Sequence, residues 1–257
     1  SSIQVLEDME HVRLRPGMYI GGTDDRALHH MVAEIIDNSM DEAVAGHATW
    51  IEVELHENFH VTVRDNGRGI PVDMHPKFPN KSALEIIFCT LNAGGKFSGE
   101  NYETSGGLHG VGSSVVNALS DFVRVEVAKN RELFALEFSR GLPQGRLKNL
   151  GSVQNRRGTS VTFHPDPEIF DDITYSYDML ASRMRELSFL NQKLTITITD
   201  ERRKDEEGNF ISDKFYSERG LAEFVEFLDG NREKLIDSVI SIEGEKNNIP
   251  VEVALIY

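Results

Sequence analysis

Val61-Thr62-Val63-Arg64-Asp65-Asn66-Gly67-Arg68-Gly69-Ile70-Pro71 runs an apolar/polar alternation straight into a glycine-rich turn. The alternation covers residues 59–64 and reads as a half-buried strand; residues 49–55 alternate likewise, so the two make a hairpin across a short polar link. Upstream, Leu28, Met31, Val32, Ile35, Ile36, Met40, Ala43 and Val44 recur at helical spacing. That stripe predicts a helix over about 27–45, stopped by Gly46. Downstream, an extended, Pro-containing segment over 72–81 precedes a helix over about 82–91. Residues 94–112 hold seven glycines, too many for regular structure, and launch a helix over about 113–119. Strand-like runs follow at 122–127, 133–138 and 159–163, then a helix over 175–190 and a strand over 193–199. The charged run 200–208 reads as a turn or boundary, 220–228 as a helix and 251–256 as one more strand. Neighbouring strands with helices grouped between them predict an α+β fold, with helices on one face of a sheet. Residues 1–219 are expected to form one domain, and 220–257 a connecting helix and the start of a second.

The chain has 257 residues, with 27 Lys+Arg against 42 Asp+Glu and a net charge of −15. At 39% hydrophobic and 27% charged it has the composition of a soluble globular protein. The acidity argues against a grip on nucleic-acid phosphates or an anionic membrane by this chain alone. No apolar run reaches the roughly 18 residues of a membrane helix. Residues 1–15 alternate charged and apolar groups, unlike the apolar segment of a signal peptide. The single cysteine, Cys89, excludes an internal disulfide and a multi-cysteine metal site, in keeping with a reducing cytosol.

Three stretches carry chemistry. Glu34 and Asn38, four apart, share one helix face about 40° from each other. Asp37, Asp41 and Glu42 stand close by. A solvated helix face has this look, but a carboxylate and an amide oxygen opposite an apolar stripe also suit Mg²⁺ and water. The turn 65–71 reads two ways. Asn-Gly favours a tight turn. Asp65 at a strand's end could equally accept a hydrogen bond from an exocyclic amine, with Gly69 letting a flat ring approach. The third stretch is Gly94-Gly95-Lys96 and Ser105-Gly106-Gly107-Leu108-His109-Gly110-Val111-Gly112 before a helix, an arrangement of backbone N–H groups suited to an anion. It is neither a Walker A loop nor a Rossmann fingerprint. His56-Glu57-Asn58-Phe59-His60 matches a zinc-protease pattern, yet it lies between two strands, where the two histidines cannot share a helix face. His29 and His30 read as packing or surface residues.

Together, Glu34-x-x-x-Asn38, Asp65-x-Gly67-x-Gly69, Gly107-x-x-Gly110-x-Gly112 and Gly158-Thr159 resemble the four boxes of the GHKL ATPase superfamily. Segments 13–21, 37–43, 93–97, 105–119 and 185–191 make the chain similar to the B subunits of bacterial type IIA topoisomerases. Within that family, segments 75–85 and 138–144 resemble topoisomerase IV more than gyrase. The resemblance implies a two-layer Bergerat fold, with a mixed, mainly antiparallel sheet and helices on one face. It further implies that ATP is bound and hydrolysed with Mg²⁺. Glu34 would be the general base and Asn38 the Mg²⁺ ligand. Asp65 would accept the adenine amine, supported by Thr159. Gly69, Ile70 and Pro71 would wall the base, with Arg68 at the pocket mouth and Tyr102 reaching the adenine. Lys96 and the N–H groups of Leu108, His109, Gly110, Val111 and Gly112 would hold the phosphates.

The implied partners are a topoisomerase A subunit, DNA through the whole enzyme, a second copy of the chain when ATP is bound, and ATP-competitive inhibitors. No membrane partner is implied, and the setting is the bacterial cytoplasm at the chromosome. The family's N-terminal arm and the switch lysine of its second domain are not in this chain, so a monomer with weak or no turnover is expected. Ala135 replaces an arginine that many members carry, which puts aminocoumarin binding in question. A histidine-kinase catalytic domain is the rival from another enzyme class; Glu34 argues against it, because a water-activating base is counterproductive for a kinase. Nucleotide-gated dimerisation without turnover is the non-catalytic alternative.

Overall fold

The computed structural model describes residues 2–91 and 112–257, with side-chain surroundings from residue 7 onward. Helices α1 (Ser2–Leu14) and α2 (Gly17–Ile20) lead into α3 (Asp25–Val44). The apolar stripe makes α3 one of the walls of the core: Leu28, Met31, Val32, Ile35 and Ile36 are all at most 1% exposed. Its start is set by Asp24, whose side chain accepts a hydrogen bond from the Ala27 N–H at 2.9 Å. Strands β1 (Trp50–Leu55) and β2 (Val61–Asp65) form the expected hairpin, followed by the short pair β3 (Met74–His75) and β4 (Phe78–Ser82) and helix α4 (Ala83–Cys89). After α5 (Gly112–Ala118) come β5 (Ser120–Lys129), β6 (Glu132–Ser139), β7 (Leu142–Pro143), β8 (Lys148–Ser152) and β9 (Gly158–Pro165). Helix α6 (Tyr177–Leu190), strands β10 (Thr195–Lys204) and β11 (Phe210–Phe215), helix α7 (Leu221–Asp229) and strands β12 (Ile240–Lys246) and β13 (Ile249–Leu255) complete the order.

The main sheet runs β11-β10-β1-β2-β9-β5-β6-β7, with β8 also on β6. Every pairing in it is antiparallel except β1 with β10. Strand alternation sorts its faces. Ile51, Val53, Val61, Val63, Val125, Val161, Phe163, Ile196 and Ile198 are buried on the side that packs on the helices. Glu52, Glu54, Arg64, Arg124 and Glu126 stand on the other. Parity has a consequence for function: Asp65 follows Val61 and Val63, and Thr159 precedes Val161, so both point under the helices. β12 and β13 pair only with each other among the described residues. The mixed α+β fold, mainly antiparallel with helices on one face, is the expected one.

The charged run 200–208 holds the expected turn, but only in its second half: β10 continues to Lys204, and the turn comes at Asp205–Asn209, where the Asp205 N–H donates to the Asn209 carbonyl at 2.8 Å. Asp200, fully buried, binds Arg202 and Arg203 at 2.8 and 3.1 Å and so lets charged residues extend a strand. The first residues also form a helix that periodicity did not announce. Arg13 anchors it, donating to the Ala118 carbonyl at 2.9 Å and to the Asp166 carboxylate at 2.8 Å, where Arg140 also binds at 2.8 Å.

Burial alone would raise the Asp166 pKa, but bonds from Arg140, the Glu168 N–H and Arg13 outweigh it and hold the carboxyl below its ordinary 3.8. A depressed pKa stabilises the fold above the unfolded value, and that share is lost as pH falls through the folded one. Asp166→Asn is expected to cost about 2–3 kcal/mol at pH 7. In urea melts the gap to wild type narrows below about pH 4.

Candidate functional site

Asp65 ends β2 on the helix-covered face and is 5% exposed. Its Oδ2 accepts from Ser39 Oγ of α3 at 2.7 Å, and its Oδ1 from the Gly67 N–H at 2.9 Å and the Thr159 N–H at 3.4 Å. Burial pushes its pKa up; these three bonds work against that, and the nearby Glu42 charge adds to the rise. Thr159 Oγ1 accepts from the Ile70 N–H at 3.0 Å, so the start of β9 and the turn after β2 are stitched together. Gly158 makes this contact possible. Its φ of +107° suits glycine, and a Cβ there would overlap the Asp65 carbonyl. Asn66 faces away and accepts from the Thr49 and Trp50 N–H groups at 2.8 and 3.1 Å.

The polar face of α3 forms the opposite wall. Glu34 is 17% exposed, and its Oε1 lies 2.7 Å from Nε2 of His30, one helical turn earlier. Gly112 opens α5 hard against the same carboxylate: any Cβ there would strike Glu34 Oε2. Asn38 Nδ2 donates to Ser113 Oγ, which turns the amide toward α5 and leaves Oδ1 without a hydrogen bond in the described structure. An amide oxygen one helical turn from a carboxylate is a donor set that a hard divalent cation accepts. Asp41, seven residues after Glu34, falls on the same face. Its pKa is pushed up to about 6, first by burial and then by the charges of Asp37 and Glu42. Glu42 holds Arg68 with both oxygens: Oε1 accepts from Nη2 at 2.8 Å, and Oε2 from the backbone N–H at 2.8 Å and from Nε at 3.2 Å. Burial would raise its pKa, yet the Arg68 bonds bring it below the usual carboxylate range.

The fold thus brings Asp65, Arg68, Gly69, Ile70 and Thr159 together where β2 ends and β9 begins, against α3, with Pro71 next in the chain, and sets Glu34, Asn38 and Gly112 together where α3 meets α5; the space between α3 and these strand ends is the candidate cleft. Lys96, Tyr102, Leu108, His109, Gly110 and Val111 lie outside the described residues. Two contributors carry no sequence signal of their own beyond spacing: His30 bonds Glu34, at which only its i,i+4 spacing hints, and Ser39 bonds Asp65, distant in sequence. Glu42 stands out in the sequence as part of the acidic cluster, but its partner Arg68, equally distant, does not. The protease-like His56 to His60 segment is indeed a hairpin turn, closed by the His56 N–H on the His60 carbonyl at 2.9 Å.

Residues 23–169 match the family model described as histidine kinase-, DNA gyrase B-, and HSP90-like ATPase. The DNA gyrase B subunit of Halalkalibacterium halodurans is 51% identical over 100% of this chain and 39% of its own length. The DNA topoisomerase 4 B subunit of Bartonella bacilliformis is 50% identical over 94% of this chain and 35% of its own length. Among solved structures, the 43K ATPase domain of Thermus thermophilus gyrase B in complex with an aminocoumarin superposes with a TM-score of 0.85 at 38% identity, over 99% of this chain and 63% of that one. This chain spans about two-fifths of the length of the curated relatives it matches. The relatives lean slightly toward gyrase B, against the preference for topoisomerase IV read from segments 75–85 and 138–144.

The Asp41 carboxyl should titrate near 6 by carbon-detected NMR, and Asp37→Asn should lower that value by removing a like charge. An Asp41 titrating near 4 would show that it does not sit within this acidic, half-buried face.

Proposed function

The chain belongs to the histidine kinase-, DNA gyrase B- and HSP90-like ATPases, and on that footing we propose that it binds ATP in the cleft beneath α3 and hydrolyses it with Glu34 as general base. What supports this above all is that Asp65 and Thr159, 94 residues apart, are bonded to each other against α3, the helix that carries Glu34 and Asn38, and keep hydrogen-bonding capacity to spare. Asp65 already accepts three bonds. A carboxylate offers about four acceptor positions, so one remains for the exocyclic amine of adenine. Thr159 accepts from Ile70 and keeps its own O–H to donate to the same edge, directly or through water. Gly69, Ile70 and Pro71 wall the base, with Arg68 held at the mouth by Glu42.

Glu34 lies at the other end of the cleft, beside the first residue of α5. Its carboxylate orients and polarises the water that attacks the terminal phosphate. His30 acts through Glu34 as a positioning residue, since its bond to Oε1 fixes the carboxylate and leaves Oε2 turned toward α5. Asn38 Oδ1 is the side-chain oxygen that would hold Mg²⁺, which when bound supplies neutralisation of phosphate charge. In this reading Lys96 and the N–H groups of residues 108–112 carry the phosphates, and Tyr102 meets the adenine. Phosphoryl transfer needs mainly positioning and charge stabilisation, and this cleft offers both.

The proposed larger setting is the B subunit of a bacterial type IIA topoisomerase. There the domain dimerises on ATP as a gate for DNA, beside an A subunit at the chromosome in the cytoplasm. Of the two paralogues, the relatives favour gyrase. Residues 1–219 would be the nucleotide-binding domain, and 220–257 would lead into the next.

In the full-length protein, Glu34→Ala should keep ATP binding by calorimetry while phosphate release falls by about 10²–10⁴. Asp65→Asn should lose binding itself, because its new N–H₂ opposes the amine. Normal hydrolysis by Glu34→Ala would remove Glu34 from the mechanism. His30→Ala should lower kcat and alter its pH profile with little change in KM, and partial rescue by His30→Gln would mark a positioning role. Paired with its A subunit, the protein should supercoil relaxed plasmid; decatenation without supercoiling would instead favour topoisomerase IV.

A further inference from the structure

The face of the sheet turned away from the helices carries a second convergence of ionisable side chains. Glu54 lies on β1 with its side chain opposite in direction to those of Val53 and Leu55, and His56, two residues on, keeps that direction. β10 runs parallel to β1 with Asp200 beside Leu55, which brings Glu201 level with His56. Nδ1 of His56 lies 2.7 Å from Glu201 Oε2, and its Nε2 lies 3.9 Å from Glu54 Oε2. One donor atom from each of the three residues lies within 4.8 Å of the others.

We propose that Glu54, His56 and Glu201 bind one divalent transition-metal ion of the zinc class, bridging β1 and β10. Three atoms at most 4.8 Å apart enclose a point no more than about 2.8 Å from each, the edge divided by √3. Small side-chain rotations reach the ~2.0–2.2 Å of zinc–nitrogen and zinc–carboxylate bonds. An imidazole with two carboxylates suits a borderline cation better than Mg²⁺, which prefers oxygen donors and keeps its waters. The ring is also steadied from outside the donor set. Thr62 Oγ1, 2.7 Å from Nε2, is itself paired with Thr162 Oγ1 at 2.7 Å. When Nδ1 faces the ion, Nε2–H keeps that hydrogen bond, as metal-bound imidazoles generally do. The only cation near the two carboxylates among the described contacts, besides the imidazole, is Arg64, 3.8 Å from Glu54 Oε1. The other histidine of the protease-like segment takes no part: the His60 ring packs at 4.8 Å on that of His164. The site lies on the opposite face of the sheet from the nucleotide cleft and does not depend on the reading of that cleft.

Calorimetric titration of this chain with Zn²⁺, in excess Mg²⁺, tests the proposal. Saturable binding of one Zn²⁺ per chain is expected, weakened at least tenfold in both His56→Gln and Glu201→Gln and changed less than twofold in His60→Gln and His164→Gln. Zn²⁺ should raise the melting temperature of the wild type and not that of His56→Gln, whose circular dichroism should match wild type. Absence of saturable binding to the wild type, full affinity in either the His56 or the Glu201 variant, or loss in the His60 or His164 variant overturns the assignment.

Discussion

A carboxylate buried at the end of β2 sets the terms for the rest of the molecule. Asp65 is 5% exposed, and removing a charge from water is costly unless hydrogen bonds replace the lost hydration. Ser39, Gly67 and Thr159 supply them, one each from α3, the turn and β9. Three segments remote in sequence must therefore meet at one point. Gly158 allows the closest of these approaches, because any side chain would occupy the space of the Asp65 carbonyl. The shape of the cleft and the pairing of β2 with β9 are two sides of one packing problem.

Helix α3 answers to two neighbours at once. Its apolar stripe closes the core against the sheet, and its polar face, with Glu34, Asn38, Asp41 and Glu42, borders the cleft. Negative charges crowd one face, and the structure manages them differently. Glu42 is neutralised by Arg68, Glu34 is held by His30, and Asp41 keeps a raised pKa among like charges. The acidity that counts against nucleic-acid binding is thus concentrated partly where an anionic nucleotide is proposed to sit. Under that reading, local donors and a divalent cation must overcome the field of the chain, whose net charge is −15.

Much of this was legible in the residues, and the failures have physical causes. Strands with a buried face announced themselves through alternation, and so did α3 through its stripe. Helix α1 lacks a clear stripe and owes its place to Arg13 and to the buried Met9 and Val12, which are tertiary contacts. Strand β11 was missed because it lies at the sheet's edge, with Ser212, Asp213 and Lys214 exposed, so no apolar alternation marks it. The charged end of β10 read as a break because the buried anion that draws in Arg202 and Arg203 cannot be foreseen from composition.

The sequence by itself determined the elements that carry an apolar stripe or alternation, the side of the sheet their residues take, and which residue types are available for chemistry. Those properties follow from local periodicity and backbone preference, which act over a few residues. Tertiary structure alone decided which polar groups become partners: Ser39 with Asp65, Glu42 with Arg68, Asn38 with Ser113, and Glu201 with His56. The His30–Glu34 pair is local, yet only the placement of α5 makes that carboxylate part of a cleft. A buried or half-buried polar group takes its meaning from whatever replaces its water, and chain segments far apart in sequence supply that replacement only once the core has closed.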